Sequence, residues 1–563
     1  MLRIALIPVT LIALVLGAIA WSGGGTTPQA DFTFAIGRDI LSLDPNYMSY
    51  GQDIRLAYAI WEGLYSYHPV TLEPIPAVAK SCDVSGDKKV YTFHLRENAK
   101  WSNGDPVRAG DFVFAWRRQL ETPGEYTYLH YYIKGAKPYL DAYQEYVSDP
   151  KKNKKPDFAM VGEEAIDPLT LRVTLDNPVT FFFELVAFTP FLPLHEPSMR
   201  RFAQVDEATG TTTYDGRFTR PGVVGNGAYV LSSWDFKRSV RLTKSETYWN
   251  KDSVRSKTIE QLVVEDPLGQ MLRYETGEVD WLPEVASEVA PEMLQQGRKD
   301  LHVFSGYGGY FLSVMVKPTF PRGAPNPLSD VRVRQALAMG IDRRPIVQNI
   351  TRMGEAPATT YIPPGLFPNF EIKPGFDFDP ARARALLAES EKVVAGRLPG
   401  VSLMYRSGSA TAAAMCQNIV NQWRANLGID VPLEQQESKA AKDRLKTKDY
   451  SIATANWFGD YPDPSTFTDK YLSTAVNNDS GWANKEFDAL CDAATREPDP
   501  AKRYRLLERA NRLIDVDLPI IPLYVLSNQY LFRDSVHGLN VNPRTTTMLK
   551  AVWVERKGRA GAN

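Results

Sequence analysis

Trp457, Phe458, Asp460 and Tyr461 crowd the end of the uncharged, strand-like run Ser451–Ala455, and Pro462 and Pro464 then end any regular structure. Aromatic surface beside one carboxylate is what holds a ligand with an apolar body and a positive end. The rings take apolar area out of water, and the carboxylate supplies the partner that a desolvated cation requires. The same residues admit a plainer reading, a strand running into a turn with the rings in the core and Asp460 capping the turn. Local sequence leaves both open.

Other chemistry is sparsely represented. Of the six histidines, at 68, 94, 130, 195, 302 and 537, none is paired at a metal-ligand spacing, and HExxH is absent. There is no GxSxG elbow and no phosphate loop ending in Gly-Lys-Ser/Thr. Gly225-Asn-Gly227 lacks the third glycine and the following helix of a dinucleotide site. Glu163-Glu164 reads as solvated surface. Cys82, Cys416 and Cys491 form no CxxC, so a zinc site is not expected, and at most one disulfide could form. The sequence therefore reads as that of a binding protein rather than an enzyme, with no cofactor and no metal.

Composition agrees. A chain of 563 residues is too long for one core and predicts two or three lobes. A net charge of -1 argues against a nucleic-acid surface, which needs a large basic excess. Aromatic residues make up 11%, which suits a large ligand-enclosing surface. At the N-terminus, Arg3 precedes the mostly apolar run Ile4–Ala20, and Ala18-Ile-Ala20 has the small-x-small pattern of a signal-peptidase site. The Gly-rich stretch from Gly23 to Gln29 reads as a tether. This predicts an export signal, or an uncleaved anchor, since the run is nearly long enough to span a bilayer. The body that follows is expected to be soluble.

The elements that must position the aromatic–carboxylate cluster alternate between strands and helices, so the class is α/β. Strands are expected at Asp31–Gly37, Lys89–Arg96, Leu171–Leu175 and Tyr229–Leu231, the last pairing with Val240–Thr243. Tyr91, Phe93 and Leu95 share one face of their strand, with Thr92, His94 and Arg96 on the other. Helical spacing is found at Ile54–Leu64 and Ala109–Leu120, and a buried helix is expected at Thr180–Phe188. The amphipathic run that starts at Asp330 is expected to be capped by Ser329 or Asp330, and Asp379 and Asp499 are expected to cap the runs that follow them, each with proline at the first helical position. Leu518–Leu526 reads as a short strand interrupted by prolines.

Several of these stretches coincide with one family. They are Leu43-Asp-Pro45; Trp61-Glu-Gly-Leu64; Tyr91-Thr-Phe-His-Leu-Arg96 with Lys100-Trp-Ser-Asn-Gly-Asp-Pro-Val; Ala109-Gly-Asp-Phe-Val-Phe with Trp116-Arg117; Asn226-Gly-Ala-Tyr229 with Tyr248-Trp-Asn250; Gly277-Glu-Val-Asp280; Asp330-Val-Arg-Val-Arg-Gln-Ala-Leu with Ile341-Asp-Arg343; and the stretch around Asp460. From about Ser42 to about Val554 the chain resembles the extracytoplasmic solute-binding proteins of peptide-type ABC transporters, the oligopeptide- and dipeptide-binding group.

The resemblance implies a two-lobed periplasmic-binding-protein fold, type II-like, with an extra N-terminal subdomain. After residues 1–30 as signal or anchor and tether, it divides the chain into lobe I (31–61 with 190–306 and 528–563), the subdomain (62–189) and lobe II (307–527). It implies a short peptide, or a peptide-like solute, lying extended against strand backbone between closing lobes. It implies an ABC permease as partner, and the receptor is expected to be a monomer. Asp460 matches the carboxylate that pairs with the ligand's α-amino group, Ala455, Asn456, Trp457 and Phe458 the backbone-offering strand end, and Tyr310 and Phe311 aromatic positions lining the cleft; Tyr461 completes the set. Thr454, Ser438 and Met315 depart from the family, standing where oligopeptide binders carry Arg, Trp and Asn. Other members take nickel complexes, opines or oligosaccharides, so the resemblance also allows another solute.

Overall fold

The computed structural model describes residues 28–556 apart from positions 322 and 476. The signal or anchor reading of Ile4–Ala20 lies outside the described residues, as does most of the tether. Among the described residues no helix is long and apolar enough to cross a membrane.

An 11-stranded sheet runs through both lobes. Its middle is two long antiparallel strands, Leu301–Val314 and Ile520–Phe532. Beyond Ile520–Phe532 come Trp281–Leu282, Phe32–Ile36, Thr258–Val263, Ser239–Lys244 and Tyr229–Asp235; beyond Leu301–Val314 come Ile452–Phe458, Leu403–Arg406 and Leu433–Gln436; the eleventh, Ala356–Pro357, pairs with Ile520–Phe532 off this path. Leu301–Ser305 pairs with Ser527–Leu531 in the first lobe, and Gly309–Ser313 with Ile520–Val525 in the second. Between these runs Gly306, Tyr307 and Gly308 face only Leu526, which is a bulge. A side chain at 306 has no room there, because a Cβ would lie 2.9 Å from Leu526 Cβ.

The prolines do not end the second long strand. The short interrupted strand expected at Leu518–Leu526 is instead 13 residues long. Pro522 has no N–H to give to a ladder, and it sits beside a second register shift, between Tyr310 and Phe311. Its carbonyl accepts a hydrogen bond from Arg343 Nε at 2.7 Å.

The second lobe's sheet is covered on both faces. Val331–Met339, Pro380–Ser390 and Ala410–Leu427 pack on one side and Lys485–Arg496 and Pro500–Asp517 on the other. Asp330, Asp379 and Asp499 cap their helices as expected, accepting from the amides of Arg332, Arg382 and Lys502 at 2.9, 3.0 and 2.9 Å. Cys82, Cys416 and Cys491 are free thiols, and burial pushes each up to about 12.

The extra subdomain is built on a four-stranded sheet, Ala79–Val84, Val90–Leu95, Thr170–Thr174 and Glu163–Asp167 in spatial order. Tyr91, Phe93 and Leu95 are buried and alternate with half-exposed Thr92 and His94, as the period-two pattern requires. These rings share one continuous core with Phe32, Phe34 and Trp281 of the first lobe. Arg118, on helix Ala109–Glu121, locks the two together with a bidentate pair to Asp44 at 2.7 and 2.6 Å, both side chains almost fully buried.

Two expected helices are shorter. The one read at Ile54–Leu64 is Gly51–Ile60. Its end is clasped by Gly225-Asn-Gly227. A Cβ at 225 would sit 2.2 Å from the Ile60 carbonyl, and the Asn226 amide exchanges hydrogen bonds with Glu62 backbone at 3.0 and 2.9 Å. Trp61–Leu64 is therefore held extended. Of Thr180–Phe188, only Phe182–Leu185 is helical. Phe182 and Phe183 both pack on Tyr91, with Phe183 reaching Tyr65 as well, while Phe181, just before the helix, stacks on Tyr461.

Asp44→Ala would strand Arg118 as a buried unpaired cation, and the expected loss is about 3–5 kcal/mol of unfolding free energy. Urea unfolding measures it, and a loss below about 1 kcal/mol would show that the pair does not hold the subdomain.

Candidate functional site

A cavity of about 270 Å³ lies where the two lobes and the subdomain meet. The second lobe contributes Phe458, Gly459 and Asp460. The first lobe contributes Ile54, Arg55 and Tyr58 from helix Gly51–Ile60, with Glu284 and the loop Arg544–Thr547. Tyr126 and Phe188 come from the subdomain side.

Strand pairing decides what the second-lobe wall can offer. Ile452–Phe458 extends three residues past the run expected at Ser451–Ala455, because Gly308–Val314 pairs with its whole length. On its other edge Leu403–Arg406 pairs only as far as Ala453. The Gly459 amide donates to Tyr307 O at 2.8 Å on one side, and the Ile452 amide to Ser402 O at 3.2 Å on the other. Backbone groups alternate sides along a strand, so those of Asn456 and Phe458 face the unpaired edge. This is a short length of open sheet edge beside a cavity, able to accept an added strand.

The turn after the strand is tightly held. A Cβ at Gly459 would lie 2.4 Å from the Tyr307 ring, so only glycine lets the bulge tyrosine lie against it. Tyr307 Oη donates to Tyr461 O at 3.1 Å, the Asp460 amide to Thr466 Oγ1 at 2.9 Å, and Trp457 Nε1 to Thr466 O at 3.0 Å. The Asp460 carboxylate accepts one side-chain hydrogen bond, from Tyr128 Oη of the subdomain at 2.7 Å. Burial pushes its carboxyl up to about 6, against that hydrogen bond, which lowers it. Burial and the nearby Asp460 hold the Tyr128 phenol well above its usual value, so it stays protonated and donates.

The residues read from sequence thus separate into groups. Phe458 and Asp460 line the cavity, and Asn456 is exposed on the open edge beside half-buried Ala455. The Trp457 indole turns the other way, into the second-lobe core, with Lys470 Nζ 4.9 Å from its ring. Phe311 is in that core as well. Tyr310 lies on the opposite sheet face, stacked on Tyr524 at 5.1 Å. Tyr461 is buried behind the cavity, stacked on Phe181 of the subdomain at 4.9 Å. Strand alternation accounts for this, since residues 455, 457 and 311 share one face. Asp460 does not cap its own turn, so the plainer reading fails at that residue.

Sequence reasoning missed Arg55, Tyr58, Tyr128 and Arg544. The available signal was a charge inside an apolar helical run for Arg55 and the Tyr-rich stretch Tyr126–Tyr132. Arg544 pairs with Glu184 at 3.4 Å and lies 4.5 Å from the Tyr67 ring centroid. Burial raises the Glu184 carboxyl to about 7, with Arg544 pulling it back.

The chain matches the model for "Bacterial extracellular solute-binding proteins, family 5 Middle" over residues 73–479. It is 31% identical to the oligopeptide-binding protein OppA of Bacillus subtilis, over 83% of this chain and 82% of that one. Among solved structures it resembles the murein tripeptide binding protein MppA of Escherichia coli, with a TM-score of 0.73, 25% identity, and 94% and 99% of the two chains covered. It also resembles Haemophilus influenzae OppA in complex with RPPGFSPFR, with a TM-score of 0.71, 26% identity, and 93% and 98% covered.

Asp460 carries a desolvated charge that the ligand-free fold does not neutralise. Asp460→Asn, which can still accept from Tyr128, is expected to raise the ligand-free Tm at pH 7.5. The raised carboxyl destabilises the native state fully above about pH 6, by up to about 3 kcal/mol, and the cost disappears between there and the ordinary carboxylate range near 4. Thermal melts of both proteins from pH 8 to pH 4 should converge at the acid end, and a constant offset would refute this origin.

Proposed function

The chain belongs to the bacterial extracellular solute-binding proteins, family 5, and from this we propose that it binds short peptides in extended form between its lobes and delivers them to an ABC permease. The family is a class of receptors, not of enzymes. The observation that carries the peptide reading is the open strand edge at Asn456 and Phe458, which runs directly into the under-neutralised Asp460 carboxylate in one cavity. Peptide backbone completes the edge, and the ligand's α-ammonium pairs with Asp460. A cavity of about 270 Å³ falls just below the range of about 300–1,000 Å³ usual for ligand pockets, which favours two or three residues over a long chain.

In this reading lobe I (31–61, 190–306, 528–563) and lobe II (307–527) close about the Gly306–Gly308 bulge. The subdomain (62–189) moves with lobe I, to which the shared core and the Asp44–Arg118 pair bind it. The Tyr128–Asp460 hydrogen bond and the Phe181–Tyr461 stack join subdomain to lobe II across the cleft. The receptor works outside the cytoplasm, exported by its N-terminal segment or tethered by it, as a monomer without cofactor.

Three measurements test this. In calorimetry at pH 7.5, Ala-Ala-Ala is expected to bind wild type, with Asp460→Asn weakened by at least about 30-fold and N-acetylated Ala-Ala-Ala not bound. If native mass spectrometry finds no peptide retained and calorimetry finds none bound, the reading is wrong. Affinity should also fall as pH drops through about 6, by up to about tenfold per pH unit, because the ammonium pairs only with the ionised carboxylate. A flat profile from pH 8 to 5 would remove Asp460 from ammonium recognition.

A further inference from the structure

The first-lobe wall of the cavity carries a cation that the fold leaves without an anion. Arg55 sits on helix Gly51–Ile60 and is only 7% exposed. Its Nε is buried with no hydrogen-bond partner. Among the described residues no carboxylate lies within ion-pair distance of its guanidinium and no group accepts a hydrogen bond from it. What it has is aromatic surface: its Cζ lies 4.8 Å from the Trp281 ring centroid and 5.7 Å from that of Phe34.

The contrast with the other buried arginines is sharp. Arg118 has Asp44, Arg503 has Asp463 and Arg544 has Glu184. Arg334 donates to the carbonyls of Asp517, Leu328 and Ser329, and Arg343 to that of Pro522. The neighbouring carboxylates make no ion pair with Arg55, although the charge of Glu284 acts on it through space. Asp53, two residues away, accepts from the amides of Leu41 and Ser42 at 3.2 and 3.1 Å. Glu284 also borders the cavity but is exposed, so water competes for it. Stacking on rings holds a guanidinium in place and satisfies its charge in part, but it uses none of the five N–H donors. Those donors form a rigid fork that fits a carboxylate in bidentate fashion.

We infer that Arg55 binds the α-carboxylate of the peptide whose α-amino group pairs with Asp460, so that one cavity reads both ends of a short zwitterionic peptide. This rests on the peptide reading above and adds the ligand's other end to it. Asp460 belongs to the second lobe and Arg55 to the first, so such a ligand ties the lobes together through its two charges. Closure is then favoured by the ligand that has both, since only differential affinity for the closed state shifts that equilibrium.

The test is calorimetry at pH 7.5 with Ala-Ala-Ala and its C-terminal amide on wild type, Arg55→Met and Arg55→Lys. Wild type is expected to bind the free acid at least about 30-fold more tightly than the amide. Arg55→Met should bind both alike, at the amide's level, and Arg55→Lys should keep part of the preference, since it keeps the charge without the fork. Removing an unpaired buried cation should leave the ligand-free Tm of Arg55→Met unchanged or higher. Should Arg55→Met not fold, the wild-type ratio and Arg55→Lys decide. A wild type that binds acid and amide equally, or an Arg55→Met that keeps the wild-type ratio, overturns the inference and leaves the peptide reading standing. A wild type that binds neither peptide overturns the peptide reading and the inference with it.

Discussion

The pairing of Leu301–Val314 with Ile520–Phe532 is the constraint on which the rest of the molecule depends. One hydrogen-bonded ribbon is the backbone of two lobes, so anything done to its register is felt on both sides. The bulge at Gly306–Gly308 is where that register slips, and it does two jobs. It breaks the ladder between the lobes, where a bend costs least. It also turns Tyr307 toward the second-lobe wall, where its carbonyl holds Gly459 and its hydroxyl holds the Tyr461 carbonyl. The Asp460 turn is thus aimed by the same feature that separates the lobes.

Charges are distributed in keeping with this. Two of the buried ion pairs are complete: Asp44 with Arg118, and Asp463 with Arg503. Such pairs cost desolvation energy and are tolerated because geometry and hydrogen bonds complete them. At the seam two charges lack an opposite partner. Asp460 has a phenol in place of a cation, and Arg55 has ring faces in place of an anion. An incompletely matched charge in a low-dielectric cavity is expensive in the free protein and is where a ligand gains most by supplying the missing partner. The resemblance puts Thr454 where oligopeptide binders carry an arginine, and in the binding mode proposed above Arg55, from the other lobe, is the cation.

Local chemistry was readable wherever the partner lay within a few residues. The Asp caps at 330, 379 and 499 need only an amide two or three positions on, and the alternation around Tyr91–Leu95 needs only one buried sheet face. Readings failed where the partner was remote. Nothing near Trp61 announces the glycine clasp at 225 and 227 that ends its helix early, and nothing near Pro522 announces the long neighbour that keeps it in a strand. The aromatics of Thr180–Phe188 read as a buried helix, but only Phe182–Leu185 is helical, and Phe181 turns to Tyr461 instead.

The sequence by itself determined the class of molecule and the α/β alternation, because patterning, caps and motif order are properties of neighbouring residues. Only the tertiary structure decided which aromatics meet the cavity and which meet the core, since strand alternation sends Trp457 and Phe311 inward while Phe458 faces the seam. It alone brought Tyr128, 332 positions away in the chain, onto the Asp460 carboxylate, and set Arg55 in the same cavity. Long-range juxtaposition is produced by packing of whole elements, and no window of sequence contains it.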